Sequence, residues 1–442
     1  MTLHKPTIFL TIEIKSREFL PKCFLAYKLF KKGFRVYLGS HLAIKHYLEY
    51  CDPSLIFHKS TWYDQSRKFK DKKHSFVFLD EEGGPTMPRD YIKRFYKDRY
   101  NKVNALNQDM IFLPSERIKN KIKNIKYLKN IPLIVTGWPR ADLWFKKFNY
   151  IHNKQVAVIK KKYDNFYLFV SSFGFNDLKS FEYRLKDEPK IFKSILFFRY
   201  KAFNNYIKLL KELSKIISIN DKIIIRPHPN EDVNIWKKLF ENYQNIIVEI
   251  DKEIDPWILA SQNILTFGST IAIQACLQNK VCVQYKVEKK RGITDSPSYE
   301  LCVNANSANE VYRLLKSKRT SHKVADKLKM FLKKDLAYTK NKLATDKIVE
   351  EILSIDINKS KKFYPNIFNK FCYYIKYSMI LISGILCKYK IYKPNDVSIL
   401  NKLPNGIRLS DVKLNIDLFC KKENDKKKIT YSSPIKDLVC LE

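Results

Sequence analysis

Short, mainly apolar runs alternate with stretches of helical periodicity along most of this chain. Runs at 7–12, 34–38, 75–79, 110–113 and 132–135 read as strands buried on both faces. Helical patterns at 17–32, 41–50, 61–72, 89–97 and 115–126 lie between them, and Gly33 stops the first. Thr136-Gly137-Trp138-Pro139-Arg140-Ala141-Asp142 then supplies turn residues, and the polar stretch to about Asp164 reads as a domain boundary. The rhythm restarts with strands at 166–171, 222–225, 246–250, 263–266 and 281–285. Helices are predicted at 200–217, 232–240, from 255, and at 270–277, 307–317, 323–334 and 340–355. Residues 173–195 show no clear period and read as a loop over a site. This alternation predicts the α/β class, with parallel sheets covered by helices.

At 442 residues the chain exceeds one ordinary core. Three parts are expected: an N-terminal Rossmann-like domain over 1–150, a C-terminal one over 151–357, and a basic, aromatic-rich extension over 358–442. Within the extension, the apolar run 379–387 is too short to span a bilayer. The surrounding segment fits either an interfacial helix with snorkelling lysines or a helix packed back on the protein. The last forty residues, with Lys421-Lys422 and Lys426-Lys427-Lys428, read as poorly ordered.

Hydrophobic residues make up 45% of the chain and aromatics 14%, which excludes wholesale disorder. The net charge of +38 draws the protein toward polyanions and anionic membrane surfaces. No nucleic-acid-binding module accompanies the charge, so no specific nucleic acid is expected. Nine cysteines lack zinc spacing and read as reduced thiols in a cytoplasmic protein. The N-terminus has no signal-peptide pattern. GxGxxG, P-loop, nucleophile-elbow and convincing DxD patterns are absent, so metal-independent chemistry without a cofactor is the simplest expectation.

Two motifs stand at the carboxyl ends of predicted strands, where ligands gather in open α/β folds. Asp80-Glu81-Glu82-Gly83-Gly84 crowds three carboxylates, whose mutual repulsion favours a general base; the alternative is a solvated acidic turn. Arg226-Pro227-His228-Pro229 holds an imidazole between two prolines beside a permanent cation suited to phosphate. Asn230 or Asp232 would cap the helix that follows. Gly268-Ser269-Thr270 opens a later helix and would form a second wall of a phosphate pocket. Ser171 and Ser172 either line the site or simply turn. Glu13, Lys15 and Arg17 suit the acceptor side or a capped helix start.

Together with Ile12–Glu18 and the 136–142 motif, these segments resemble the bacterial surface carbohydrate biosynthesis proteins over about residues 5–300. The resemblance implies a GT-B glycosyltransferase, with two Rossmann-like domains and a central cleft. The acidic, His-Pro and Ser/Thr trio is also similar to bacterial sialyltransferases and Kdo transferases, which implies a CMP-sugar donor. On that likeness Glu81 or Glu82 takes the acceptor proton, His228 and Arg226 meet the departing phosphate, and Ser269 and Thr270 hold it. Gln274 stands where related enzymes often carry a ribose-binding Glu. The acceptor would be a glycan or lipid-linked chain at the inner face of the plasma membrane. His-Pro motifs also occur in CDP-glycerol phosphotransferases. A sugar-nucleotide epimerase and a non-catalytic scaffold of the same fold are the further alternatives.

Overall fold

The apolar runs become strands of two separate parallel sheets. The computed structural model describes residues 4–59, 68–79, 81, 99–105, 108–187, 190–250, 253–290, 293–318, 321–339, 342–357, 359–388 and 402–442. These residues form two units, one drawn from 1–82, 96–143 and 333–442 and the other from 144–332.

In the first unit, β1 (Lys5–Ile12), β2 (Arg35–Ser40), β3 (Leu55–His58), β4 (Ser75–Leu79), β5 (Met110–Leu113) and β6 (Leu133–Val135) lie in the order β2-β1-β3-β4-β5-β6. Every neighbouring pair is parallel. The order reverses between β1 and β3, which makes their carboxyl ends a topological switch point. The second unit contains β7 (Phe166–Val170), β8 (Lys222–Arg226), β9 (Ile246–Val248), β10 (Ile264–Thr266), β11 (Cys282–Tyr285) and β12 (Val303–Ala305). Their order, β12-β11-β10-β7-β8-β9, is the Rossmann order, with its switch point between β7 and β10. The expectation of two Rossmann-like α/β units is met.

Aromatic rings fill the second core. Phe169, Phe173, Tyr206, Trp236 and Phe267 are all buried. The Tyr206 hydroxyl donates to the Thr266 carbonyl (2.7 Å) and accepts from the Tyr285 N–H (2.9 Å), tying β10 to β11 from inside. The segment 173–195 is not a loop: helices Leu178–Asp187 and Lys190–Ile216 occupy most of it. Phe181, Leu196 and Phe203 give them an apolar face against this core.

Residues beyond 333 belong with the first unit, so its boundary departs from the expected division at 150 and 357. Asp142, from the Gly-Trp-Pro turn, explains the return. Its buried carboxylate accepts from the N–H groups of Ala344 (2.9 Å) and Thr345 (2.8 Å) and from the Thr345 hydroxyl (2.7 Å). That caps the helix Ala344–Leu353, which has no side-chain cap of its own. The tail continues in this unit. β13 (Lys359–Ser360) pairs with β1, and the helix Leu409–Lys422 sets Phe419 against Phe24. β14 (Tyr431–Ile435) and β15 (Leu438–Leu441) form a hairpin whose second strand pairs antiparallel with β2. The expected poor order of the last forty residues is therefore corrected. Leu438–Leu441 are fully buried, while the neighbouring lysines Lys421, Lys422 and Lys426 remain on the surface.

Candidate functional site

The loops after β7, β8 and β10 converge at the switch point of the second unit. Arg226 ends β8, buried, with its guanidinium 5.0 Å from the Trp257 ring centroid. His228 follows on the Pro-flanked turn. Its Nδ1 accepts a hydrogen bond from the Asn230 N–H (3.2 Å), so the proton of the neutral ring sits on Nε2. Burial pushes the imidazole pKa down to about 4, and the charges of Arg199 and Arg184 act in the same direction. His228 is thus a neutral hydrogen-bond donor in a positive field. Pro229 is exposed beside it.

A residue not singled out from the sequence holds this arrangement together. Glu231 is 6% exposed and accepts four hydrogen bonds. Oε1 receives the Ser171 hydroxyl (2.7 Å) and the Gly174 N–H (2.9 Å). Oε2 receives the His228 N–H (3.1 Å) and the Trp236 indole N–H (2.9 Å). Burial raises its pKa, partly offset by these four donors. The β7 loop and the His-Pro turn are pinned through one carboxylate. Asn176 adds a second tie, donating to the Asp232 carbonyl and accepting its N–H (3.2 Å). Asp232, one of two candidate caps, caps the helix Val233–Leu239 by accepting from the Asn234 N–H (2.8 Å).

Ser171 and Ser172 lie in the first of these loops, but both hydroxyls are committed to protein. The first goes to Glu231 and the second to the Phe267 carbonyl. Gly174 takes φ +78, and a Cβ there would meet the Arg184 guanidinium at 2.4 Å. That close approach lets Arg184 donate to the Gly174 carbonyl (3.1 Å). After β10, Gly268 takes φ +59, and a Cβ would lie 2.2 Å from the Tyr299 ring. Ser269 accepts from the Ile271 N–H at 3.4 Å, whereas Thr270 makes no side-chain cap to the helix Ile271–Leu277. Burial pushes the Tyr299 hydroxyl up to about 12, with Arg199 pulling it back. Gln274, expected near a ribose, is buried and donates its amide to Asp255.

The first unit places its candidates in an ion network at the β1/β3 switch point. Glu13 pairs with Lys59 (3.2 Å) and Lys402 (2.6 Å). Lys15 pairs with Asp411 (2.8 Å) and donates to the Gly406 carbonyl (2.6 Å). Arg17 lies 3.4 Å from Glu18, which is buried, meets Lys59 at 2.9 Å, and accepts from the Glu13 and Ile14 N–H groups. Burial raises the Glu18 pKa, but Lys59 and the Glu13 N–H outweigh it and leave the carboxyl below its ordinary value. Glu81 is 1% exposed and paired with the equally buried Lys22 at 2.7 Å. So placed, it is a buried ion pair rather than a base open to an acceptor. Asp80 and Glu82 lie outside the described residues, as do Gly83, Gly84 and the helix expected over 89–97. Among the described residues no cluster of His, Cys, Asp and Glu could hold a metal ion.

Two doubly wound units, one with a cationic site at its switch point, are what the residues define. No protein-family model and no curated protein matches the chain. Among solved structures it is similar to an S. aureus MnaA–UDP complex (15% identity, covering 82% of this chain and 100% of that one, TM-score 0.47). It is also similar to UDP-N-acetylglucosamine 2-epimerase from Rickettsia bellii (14%, 79% and 97%, TM-score 0.47). A third is the wall teichoic acid polymerase TagF (11%, 79% and 88%, TM-score 0.46). These scores lie under 0.5, so the functional argument rests on the site alone.

Proposed function

We propose that the chain is a glycosyltransferase of surface-polysaccharide assembly, taking its sugar from a nucleotide donor, with a CMP-linked sugar favoured. One observation carries the reading: a neutral imidazole with its proton on Nε2, at the end of β8, under the charges of Arg199 and Arg184. Negative charge develops on the phosphate as a glycosidic bond to it breaks. A donor already aimed, desolvated and flanked by cations stabilises that charge more than the ground state. As the charge grows, the imidazole pKa rises and the bond from Nε2 strengthens. Arg226 supplies a permanent charge, and Thr270, free of capping duty, supplies a hydroxyl.

Glu82 or Asp80 takes the part of base in this reading, since Glu81 is closed off by Lys22. Attack opposite the departing phosphate gives a single inverting displacement. The acceptor is a glycan or lipid-linked chain at an anionic membrane surface. Calorimetric titration of the wild type and His228→Ala with CMP, CDP, UDP and GDP tests the donor. Binding of a cytidine nucleotide that the variant largely loses is the expected outcome. A folded wild type that binds none of the four sinks the proposal. Exclusive binding of UDP or GDP keeps the transferase but discards the CMP-sugar.

A further inference from the structure

The helix Ile367–Lys388 is amphipathic the wrong way round for a surface helix of a water-soluble unit. Its inner face is anchored to the first unit. Tyr373 is fully buried and donates its hydroxyl to the Lys436 carbonyl (2.8 Å), and the Asn369 carbonyl meets His46 Nε2 at 2.8 Å. The opposite face should be polar. Instead Ile367, Phe368, Phe371, Ile375, Met379 and Ile382 are 45% to 88% exposed. Their spacing, close to every fourth residue with Phe368 alongside, gathers them on one broad stripe. Isolated exposed apolar residues are ordinary, but a continuous stripe of this kind marks a surface that meets something.

Charge identifies the partner. The helix sequence contains no acidic residue, and exposed Lys370 and Lys376 lie outside the stripe. Lys359 and Lys361, just before the helix, are also exposed, and the whole chain carries +38. A second copy of the chain would bring lysines against lysines with no carboxylate on this helix to pair them. An anionic bilayer offers apolar depth for the stripe and phosphate for its lysine margins. Among the described residues no helix is long and apolar enough to cross a membrane, so the helix would lie in the interface plane.

We propose that Ile367–Lys388 is a membrane-docking helix that seats its Phe371–Ile375 face in the headgroup region of an anionic bilayer. The proposal extends the reading of a membrane-side acceptor, but it stands on the helix and not on the donor site. Nucleotide binding and vesicle binding can therefore fail separately.

The test is co-sedimentation of the full chain with vesicles of phosphatidylcholine alone or of equimolar phosphatidylcholine and phosphatidylglycerol, at low and high salt. The wild type should partition to the anionic vesicles and release as salt rises. Phe371→Glu combined with Ile375→Glu should weaken partition about ten-fold or more, and Lys370→Glu with Lys376→Glu should weaken it while abolishing the lipid preference. Both positions pairs are exposed, and unchanged circular dichroism and nucleotide titration would show that the variants fold. Equal partition to both lipid mixtures, or variants that bind as the wild type does, overturns the proposal. So does a failure to bind vesicles accompanied by a dimer, seen in sedimentation equilibrium, that Phe371→Glu dissociates.

Discussion

Replacing Glu231 should separate the scaffold of the donor site from its chemistry. In Glu231→Ala, four buried donors lose their acceptor: the Ser171 hydroxyl, the Gly174 and His228 N–H groups and the Trp236 indole. At about 1–3 kcal/mol for each buried donor left unsatisfied, and allowing for water entry and relaxation, the loss should be about 5 kcal/mol. Glu231→Gln is subtler. If its amide oxygen faces His228 and Trp236, the NH2 faces Ser171 and Gly174. A serine hydroxyl can turn and accept, but the Gly174 N–H cannot. One orphan then remains, at about 2 kcal/mol. Urea unfolding should rank the wild type above Gln and Gln above Ala. Nucleotide titration should show most binding kept in Gln and lost in Ala, because only Ala frees the His228 turn. Ser171→Ala added to Glu231→Gln removes the acceptor that rescues the amide, and should show a coupling of about 1 kcal/mol. A Gln variant as weak as Ala, or an Ala variant that binds nucleotide normally, would refute the reasoning.

Three further outcomes follow from buried charge. Burial pushes the His74 ring, like that of His228, down to about 4. Both rings take up a proton more readily unfolded, so stability should fall as pH drops from 6.5 toward 4, by up to about 3 kcal/mol for each; His74→Phe should flatten part of that slope in thermal melts, and an unchanged slope would contradict the assignment. Lys22→Ala strands the buried Glu81 carboxylate and should cost about 3–5 kcal/mol in urea unfolding, with Lys22→Met plus Glu81→Gln recovering most of it. Asp142→Ala removes three hydrogen bonds to the helix Ala344–Leu353 and should cost about 3 kcal/mol, with hydrogen exchange quickening first at 344–346; unchanged protection there would contradict the long-range cap.

The βαβ rhythm was legible because strands buried on both faces are written as unbroken apolar runs. β3 (Leu55–His58) and β12 (Val303–Ala305) escaped notice because polar residues cut their apolar runs short, His58-Lys59 in the first and Asn304 in the second. The helix at 178–187 and the first ten residues of the helix at 190–216 were hidden by Pro189 between them and by aromatics scattered on several faces. Lysine runs near the C-terminus read as disorder, although the hairpin there extends the sheet beyond β2. Arg226 and His228 were readable because one rigid turn carries both. Arg184, Arg199 and Tyr299 were not, since helices distant in sequence from the His-Pro turn carry them. Glu231 carried a faint signal: an acidic residue three places after the histidine in a basic chain.

The two switch points use charge in opposite ways, and that contrast assigns their roles. In the first unit the described candidates sit in ion pairs: Glu13 with Lys59 and Lys402, Lys15 with Asp411, and Glu81 with Lys22. Such a network orders the backbone around it and has little need of a charged ligand. In the second unit the buried carboxylate, Glu231, is spent on hydroxyl, amide and indole donors, and the charges acting on His228 are cationic. A positive field around a neutral donor gains most when an anion arrives, because the anion offsets that field and draws the imidazole pKa upward. Tight binding of the phosphate in the product should therefore be accompanied by proton uptake below neutral pH. Titration in buffers of different ionisation enthalpy would show that uptake in the wild type and its loss in His228→Asn. An exchange-free binding enthalpy in both proteins would mean that His228 does not face the phosphate.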